Sequence, residues 1–199
     1  MHRRERMTKK IVFATNNAHK LQEMRQIAGD DFQILSLADI NCREELPETA
    51  DTLEGNATMK AQYVSTHYGI DCFADDTGLE VEALGGAPGV HSARYASDGH
   101  DDLANTALLL RNLSGVDNRR AQFRTAIALI EDGQLHLFEG RVTGSIATAR
   151  SGSAGFGYDP VFVPDGWDKS FAAATAEEKN AVSHRARAAA ALFNYLKSK

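Results

Sequence analysis

The sequence contains few cysteines and no long apolar run. Its 199 residues include only two cysteines, Cys42 and Cys72, which form no CxxC pair. A disulfide framework normally uses more cysteines, so we expect reduced thiols. The basic start is followed by an apolar stretch, residues 11–14, that is far too short for a signal-peptide core or a membrane span. We therefore expect a cytoplasmic protein with no membrane partner.

The chain also lacks an excess of basic residues. Lysine and arginine total 22 against 27 acidic residues, which gives a formal net charge of -5 at pH 7. Because nucleic-acid polymers are usually held by extended basic patches, we expect no nucleic-acid polymer as a partner. Hydrophobic residues make up 43% and charged residues 25%, a composition that excludes a disordered or fibrous chain. We expect a single domain over residues 1–199, with residues 1–9 as a flexible basic arm.

Apolar periodicity predicts alternating strands and helices in the first half of the chain. Strands are expected at residues 11–14, 32–37 and 72–74, a first helix where Leu21, Met24, Ile27 and Ala28 recur at helical spacing, and a second helix at 52–68. The residues from Asp75 to Gly78 are predicted to form a polar turn after the third strand. Apolar residues resume at 79–84, and the Gly-Pro-rich stretch at 85–89 then interrupts regular structure.

A hairpin dominates the second half of the chain. The predicted elements are a helix at 101–113, strands at 120–131 and 134–147, and a helix at 183–197. Asp132-Gly133 between the two strands is a strong signal for a tight turn. The helix that begins at Asp101 or Asp102 is expected to place Leu103, Ala107 and Leu110 on one face. Strands that alternate with helices early and form a hairpin late predict an α/β fold with a mixed sheet.

The segment between the first strand and the first helix is suited to binding an anion. Residues 15–20 lie where free backbone N–H groups and the positive end of the helix dipole favour negative charge, and Lys20 adds a full positive charge. The alternative is a polar loop in which Asn16 and Asn17 only form a turn and a helix cap. The GxxxxGK[ST] pattern of a P-loop is absent.

Carboxylates recur near the second helix and the third strand. Glu48 precedes the second helix, where it could also be a helix cap. Lys60 lies about two turns into this helix and faces either a phosphate or solvent. Asp75 and Asp76 follow the strand, a common position for a magnesium ligand or general base, although both could simply bond turn amides. Neighbouring side chains of a strand point to opposite faces, so one aspartate needs a distant partner, which Glu48 could supply.

Aromatic and cationic residues in the last third of the chain suit a nucleobase. Residues 156–159 set two aromatic rings beside glycine, which favours either stacking of a base or packing of the rings into the core. Lys179, His184 and Arg185 surround the start of the last helix, where cations oppose the helix dipole and therefore indicate a nearby anion or acceptor. His19 and the other histidines have no metal-ligand spacing.

The order and spacing of these segments resemble the inosine triphosphate pyrophosphatase family, also called the RdgB/Ham1 family, over nearly the whole chain. The motifs are Thr15 to Lys20, Glu48 with Asn56-Ala57 and Lys60-Ala61, Phe73 to Leu79, Leu84 to Gly89, Ser92 to Tyr95, Gly155 to Pro160, Glu178-Lys179 and Ser183 to Arg185. The resemblance implies an elongated two-lobed α/β fold with a central mixed sheet flanked by helices, a nucleotide cleft between the lobes, and commonly a homodimer.

The resemblance also implies an activity. It is the magnesium (Mg2+)-dependent hydrolysis of deaminated purine nucleoside triphosphates (ITP, dITP, XTP) to the monophosphate and pyrophosphate, which removes them from the nucleotide pool. Glu48 and Asp76 would bind magnesium, and Asp76 would be the general base. The implied substrate-binding residues are Thr15, Asn16, Asn17, Ala18, His19, Lys20, Lys60, Thr77, Phe156, Gly157, Tyr158, Asp159, Lys179, His184 and Arg185.

Two positions depart from the family pattern, and two other functions stay open. Asn16 stands where the family often has glycine, and its larger side chain bears on the phosphate fit. Thr77 stands where serine is frequent and keeps the hydroxyl. The other functions are a pyrophosphatase for another altered nucleotide and a nucleotide sensor that binds without cutting. A sensor needs no general base, so the presence of both Glu48 and Asp76 argues against it.

Overall fold

The fold is built on a six-stranded mixed sheet, seen in a computed structural model that describes residues 8–199. The strands are β1 (Lys9–Phe13), β2 (Phe32–Leu35), β3 (Cys72–Val81), β4 (Arg120–Glu131), β5 (Gln134–Ile146) and β6 (Phe162–Pro164). Their order is β2-β1-β3-β4-β5-β6, and β1 pairs in parallel with β2 and β3 while all pairs beyond β3 are antiparallel. The predicted mixed α/β sheet is confirmed.

Helices cover the sheet and begin where the sequence places capping residues. They are α1 (Ala18–Ala28), α2 (Leu53–Tyr68), α3 (Asp102–Asn112), α4 (Ala176–Asn180) and α5 (His184–Lys197). The side chains of Asn17, Thr52, Asp101 and Ser183 accept hydrogen bonds from N–H groups in the first turns of α1, α2, α3 and α5. Thr52 caps α2, so the alternative that Glu48 does so is wrong.

Strand β3 is longer than its sequence pattern predicts. The predicted turn at Asp75 to Gly78 is wrong, because these residues lie inside β3 and pair with Ile127 to Arg124 of β4. Antiparallel pairing supplies backbone hydrogen bonds along the strand, and the polar side chains find buried partners on the helices. The two aspartates are therefore fixed on a rigid strand in the middle of the sheet.

The hairpin between β4 and β5 has the predicted tight turn. Asp132 and Gly133 have φ angles of 50° and 75°, both in the left-handed region that two-residue hairpin turns require. Pairing is continuous from Glu131 with Gln134 to Arg120 with Ser145. These long strands form the rigid centre of the molecule.

The buried face of α3 differs from the prediction. Leu103 is 67% exposed, whereas Asn105 and Thr106 are buried with Leu109. The polar residues are tolerated because their side chains have partners: Asn105 Nδ2 donates to the carbonyl of Ala93 at 2.9 Å, and Thr106 Oγ1 donates to its own helix. The register of α3 is therefore set by side-chain hydrogen bonds as well as by apolar burial.

The apolar core divides into two regions along the long strands. Around β1, β2 and the start of β3, the buried side chains include Phe13, Met24 and Phe73 on one face and Ala57, Val64 and Ala74 on the other. The other region surrounds the end of β3, α3 and β6 and includes Leu79, Leu109 and Phe162. Residues 75–77 lie between the two regions along β3, an arrangement that agrees with the two lobes that the resemblance implies.

The N-terminal boundary also differs from the prediction. Lys9 begins β1 and pairs with Phe32, so it is not part of a flexible arm. Residues 1–7 of the predicted arm lie outside the described residues. Among residues 8–199, no helix is both long enough and apolar enough to cross a membrane.

Candidate functional site

A cleft of about 1060 Å³ brings together every residue predicted to bind metal or substrate. These residues are Thr15, Asn16, Asn17, Ala18, His19, Lys20, Glu48, Lys60, Asp76, Thr77, Phe156, Gly157, Tyr158, Asp159, Lys179, His184 and Arg185. Both core regions contribute to the lining, through Leu46 on one side and Leu79 and Phe123 on the other. The cleft is therefore the candidate active site.

The loop before α1 is partly used by the helix itself. Asn17 Oδ1 accepts the N–H groups of His19 and Lys20 at 3.0 and 3.1 Å, so these groups are not free for an anion. The cap interpretation thus holds for Asn17, while Asn16 is exposed and lines the cleft. Asn16 is not among the described residues with positive φ, so an asparagine in place of glycine causes no backbone strain here.

Asp75 is a buried anchor for three cations. It is 0% exposed, and its carboxylate accepts Lys20 Nζ at 3.1 Å and Arg185 Nε at 3.0 Å. Its carbonyl accepts Lys60 Nζ at 2.6 Å. Burial acts to raise the pKa of Asp75, but the charges of Lys20, Arg185 and Lys60 hold that pKa well below its ordinary value. The sequence assigned no role to Asp75, and the structure places it behind the cleft as the residue that positions these cations.

Asp76 faces the cleft and has different partners. Its Oδ2 accepts Asn56 Nδ2 at 3.0 Å, and its Oδ1 accepts the N–H of Thr77 at 3.1 Å. The two aspartates therefore form no facing dyad, as predicted from strand geometry. Burial raises the pKa of Asp76 above its ordinary value, repulsion from Glu48 adds to the rise, and nearby lysines oppose it. A carboxylate with a raised pKa is a stronger proton acceptor than an ordinary surface aspartate.

Glu48 and Lys60 form an ion pair beside Asp76. Lys60 Nζ donates to Glu48 Oε1 at 2.6 Å, and Lys60 is only 4% exposed, so the alternative of a solvated helix face is wrong. Burial acts to raise the pKa of Glu48, while Lys60, Lys20 and Arg94 hold it below its ordinary value. Glu48 and Asp76 line the same cleft and lie close enough for the charge of Glu48 to act on Asp76.

These two carboxylates have the donor chemistry that suits magnesium. Among residues 8–199, no cluster of three or more histidine, cysteine or acidic residues could hold a metal by itself. Magnesium is often bound through one or two carboxylates, with water and substrate phosphates completing its ligands. Glu48 and Asp76 therefore fit a magnesium ion that binds together with a triphosphate.

Glu23 lies next to the cleft and pairs with two of its cations, a role that the sequence motifs did not indicate. Its carboxylate accepts hydrogen bonds from Lys179 Nζ and Arg185 Nη1, and Lys179 also donates to Asp159 at 2.7 Å. The anions predicted near the cations at the start of α5 are therefore supplied partly by the protein itself. Glu23 follows Lys20 by three residues on α1, and this helical spacing places both on one face, a signal that was available in the sequence.

Phe156 and Tyr158 have different surroundings, so one interpretation of their segment, stacking on a base, fits Phe156, and the other, packing into the core, fits Tyr158. Phe156 lines the cleft, its ring stacks on His19 at a centroid distance of 5.1 Å, and Lys179 Nζ lies 5.1 Å from its centroid. Tyr158 is 5% exposed, and its hydroxyl donates to the carbonyl of Ser92 at 2.6 Å. Phe156 is thus placed to contact a ligand, whereas Tyr158 packs into the core and supports the loop.

His184 carries a buried polar atom without a partner. The residue is 3% exposed, and its ring stacks on Phe123 at 4.6 Å. Burial, together with the charges of Arg185 and Lys179, lowers the pKa of His184 well below its ordinary value, so the ring is neutral at pH 7. Its Nδ1 has no hydrogen-bond partner within residues 8–199. An unpaired buried polar atom costs about 1–3 kcal/mol, which a ligand contact would relieve.

The chain matches known proteins over nearly its whole length. Residues 11–195 match the model of the Ham1 family. The chain is 56% identical over 188 residues to a dITP/XTP pyrophosphatase of Porphyromonas gingivalis, a match covering 94% of this chain and 97% of that protein. It is 50% identical over 187 residues to a dITP/XTP pyrophosphatase of Christiangramia forsetii, covering 94% and 98%.

Solved structures give the same result for the fold. The Ham1 protein of Staphylococcus aureus superimposes with a TM-score of 0.86 at 37% identity, covering 96% of this chain and 99% of that chain. A HAM1 protein from Coxiella burnetii also gives a TM-score of 0.86, at 34% identity, covering 96% and 100%. With its mixed sheet, its cleft and these matches taken together, the chain belongs to the Ham1 family.

Proposed function

We propose that this protein hydrolyses the deaminated purine nucleoside triphosphates ITP, dITP and XTP to the nucleoside monophosphate and pyrophosphate, and so removes them from the nucleotide pool. The observation that carries the proposal is a single cleft in which lysines and carboxylates suited to a triphosphate lie beside an aromatic, donor-rich pocket suited to a base. The relatives named dITP/XTP pyrophosphatase, similar over 94% of this chain, support the same substrate class.

The phosphate end of the cleft is assigned to Lys20 and Lys60, with the loop at residues 15–20. Both lysines are held by Asp75, so their charges are positioned before the substrate arrives. Glu48 and Asp76 would hold a magnesium ion, which when bound supplies positive charge that stabilises the triphosphate and the departing pyrophosphate.

Asp76 is the proposed general base. It orients a water molecule and accepts its proton while the water oxygen attacks the α-phosphorus. The bond from the α-phosphorus to the oxygen that bridges to the β-phosphorus breaks, and pyrophosphate leaves. The hydrogen bond from Asn56 fixes the orientation of the Asp76 carboxylate, and the raised pKa of Asp76 favours proton transfer.

The base end of the cleft is assigned to Phe156, Lys179, His184 and Arg185. Arg185 has five N–H groups, and three of its nitrogens each donate to a protein acceptor, so donors remain for a 6-oxo group. Against the 6-amino group of adenine, donor would face donor, and each buried group left unpaired costs about 1–3 kcal/mol. Phe156 would stack on the base, and Nδ1 of the neutral His184 would contact its edge.

A substrate panel tests the proposal. The protein is incubated with magnesium and ITP, XTP, ATP or GTP, and pyrophosphate and phosphate are measured separately. We expect pyrophosphate from ITP and XTP, little product from ATP, and loss of activity when a chelator removes magnesium. Release of single phosphates would contradict the proposed bond cleavage, and equal rates with ATP would contradict the proposed base selection.

The proposal extends to the oligomeric state of the protein, its domain organisation and its location in the cell. We propose a single-domain chain that acts in the cytoplasm as a homodimer, supported by the family resemblance and by the composition. Light scattering during size-exclusion chromatography should give twice the chain mass of 21.6 kDa. A monomer mass at micromolar concentration would refute the dimer without affecting the proposed chemistry.

A further inference from the structure

The basic residues that line the cleft differ in how far the protein already neutralises their charge. They are Lys20, Lys60, Arg94, Lys179 and Arg185. Four of them pair with carboxylates at hydrogen-bond distance: Lys20 with Asp75 at 3.1 Å, Lys60 with Glu48 at 2.6 Å, Lys179 with Asp159 at 2.7 Å and Arg185 with Asp75 at 3.0 Å. The side chains of these four are at most 13% exposed.

Arg94 is the exception. It ends the 3-10 helix Gly89–Arg94, and its ion pair within residues 8–199 is with Glu45 at 3.8 Å, beyond hydrogen-bond distance. The two side chains are 56% and 85% exposed, and exposed pairs of this kind contribute little. No hydrogen bond from the Arg94 guanidinium is formed to another described residue. Its charge and its donors are therefore available to a ligand.

The charge balance of the cleft indicates why a cation without a close partner would help to bind the substrate. Of the residues in 8–199, seven acidic ones line the cleft against five lysines and arginines, so a polyanion needs positive charge in addition to the neutralised pairs. Arg94 lies toward the phosphate end, because its ion-pair partner Glu45 precedes Glu48 by only three residues and both acids line the cleft. It approaches from the 3-10 helix Gly89–Arg94, whereas Lys60 approaches from α2.

We propose that Arg94 is a further substrate-binding residue that donates hydrogen bonds to the terminal phosphates, the part of the substrate that leaves as pyrophosphate. The inference rests on the proposed function. A guanidinium presents two parallel N–H donors that match phosphate oxygens. Because Arg94 is exposed at the rim and Asp76 is buried, the contact falls on the terminal phosphates rather than on the α-phosphate. Glu45 is the group that Arg94 leaves when the nucleotide binds.

Calorimetry with inorganic pyrophosphate and magnesium tests this contact directly. Arg94→Ala should weaken pyrophosphate binding by about tenfold or more, the effect of one charge-assisted hydrogen bond, and should raise the KM for ITP by a similar factor. Arg94→Lys should recover part of the loss because it restores the charge without the paired donors. Arg141→Ala is the matched control, since Arg141 is an exposed arginine of β5 that pairs with Glu139 outside the cleft lining.

Glu45→Gln separates phosphate binding from a merely structural ion pair. If Arg94 acted only by pairing with Glu45, Glu45→Gln would weaken pyrophosphate binding as much as Arg94→Ala. If Arg94 binds phosphate, Glu45→Gln should tighten binding, because it removes a competing and repelling carboxylate. Equal pyrophosphate binding by wild type and Arg94→Ala would overturn the inference. Absence of ITP hydrolysis by the wild type would instead refute the proposed function, while the calorimetric comparison would still decide the role of Arg94.

Discussion

Replacing Asp75 by asparagine would test whether one buried carboxylate holds the cations of the cleft in place. The substitution keeps the shape of the side chain and removes its charge. Lys20 and Arg185 both donate to this carboxylate, but an asparagine amide offers one acceptor oxygen, so one cation would face the amide NH2 group instead. Removing one partner of a buried ion pair costs about 3–5 kcal/mol, and Asp75 is 0% exposed.

Urea unfolding measures this loss. At a slope of about 2.5–3 kcal/mol per molar urea, the midpoint of Asp75→Asn should fall by about 1–2 M. Asp39→Asn is the matched control, because Asp39 is an exposed aspartate 3.7 Å from an arginine, and it should change the unfolding free energy by less than about 1 kcal/mol. An Asp75→Asn midpoint equal to that of the control would refute the anchoring role.

The stabilisation by Asp75 should also depend on pH in the wild type and disappear in acid. Burial acts to raise the pKa of Asp75, but Lys20, Arg185 and Lys60 depress it overall, so its stabilising contribution is complete above the unfolded-state pKa of about 3.9. That contribution is lost as the pH falls from there through the folded-state pKa. The stability difference between wild type and Asp75→Asn should therefore shrink below about pH 4, and a constant difference would contradict the assignment.

Three further predictions concern Asp76 and Phe156. Asp76→Asn should abolish pyrophosphate release and leave the stability to urea equal or higher. Burial and then Glu48 raise the pKa of Asp76, so its ionised form destabilises the fold at neutral pH. A clearly less stable variant would contradict this explanation. In the wild type, kcat/KM for ITP should fall as the pH drops through the raised pKa of Asp76, and a flat acid limb in a pH profile would exclude it as the base. Phe156→Ala should raise the KM for ITP by about tenfold through loss of stacking, and an unchanged KM would remove Phe156 from the base pocket.

The sequence predicts the elements well where the signals are local. The hairpin turn at Asp132-Gly133, the helix cap at Asn17 and the helix start at Asp101 are short patterns whose meaning does not depend on distant residues, and each appears in the structure. The turn predicted at Asp75 to Gly78 failed because the signal there is not local. The polar residues continue the strand because β4 pairs with β3 along its whole length. Cations also satisfy Asp75: Lys20 of α1 and Arg185 of α5 donate to its carboxylate, and Lys60 of α2 donates to its carbonyl.

Contacts between residues far apart in the sequence also limit what can be predicted about the candidate site. Family motifs name the residues that line the cleft, but they do not say which charges neutralise one another. Glu23 was missed because its partners, Lys179 and Arg185, lie more than 150 positions away in the sequence. Asp75 was left without a role because a motif places it beside Asp76 without showing that their side chains serve different partners.

The partners of the two aspartates explain how a cleft can keep buried cations and still bind a polyanion. A lysine ammonium has three donors, and Lys20 uses one of them on Asp75, so it can contact a phosphate without leaving its anchor. Charges fixed in this way need little reorganisation when the substrate binds, which is the condition for strong electrostatic stabilisation. Asp75 therefore has to stay ionised and buried behind the cations, whereas Asp76 has to face the cleft with a raised pKa and accept a proton. Adjacent positions of one strand can meet these opposite demands because their side chains point to opposite faces of the sheet.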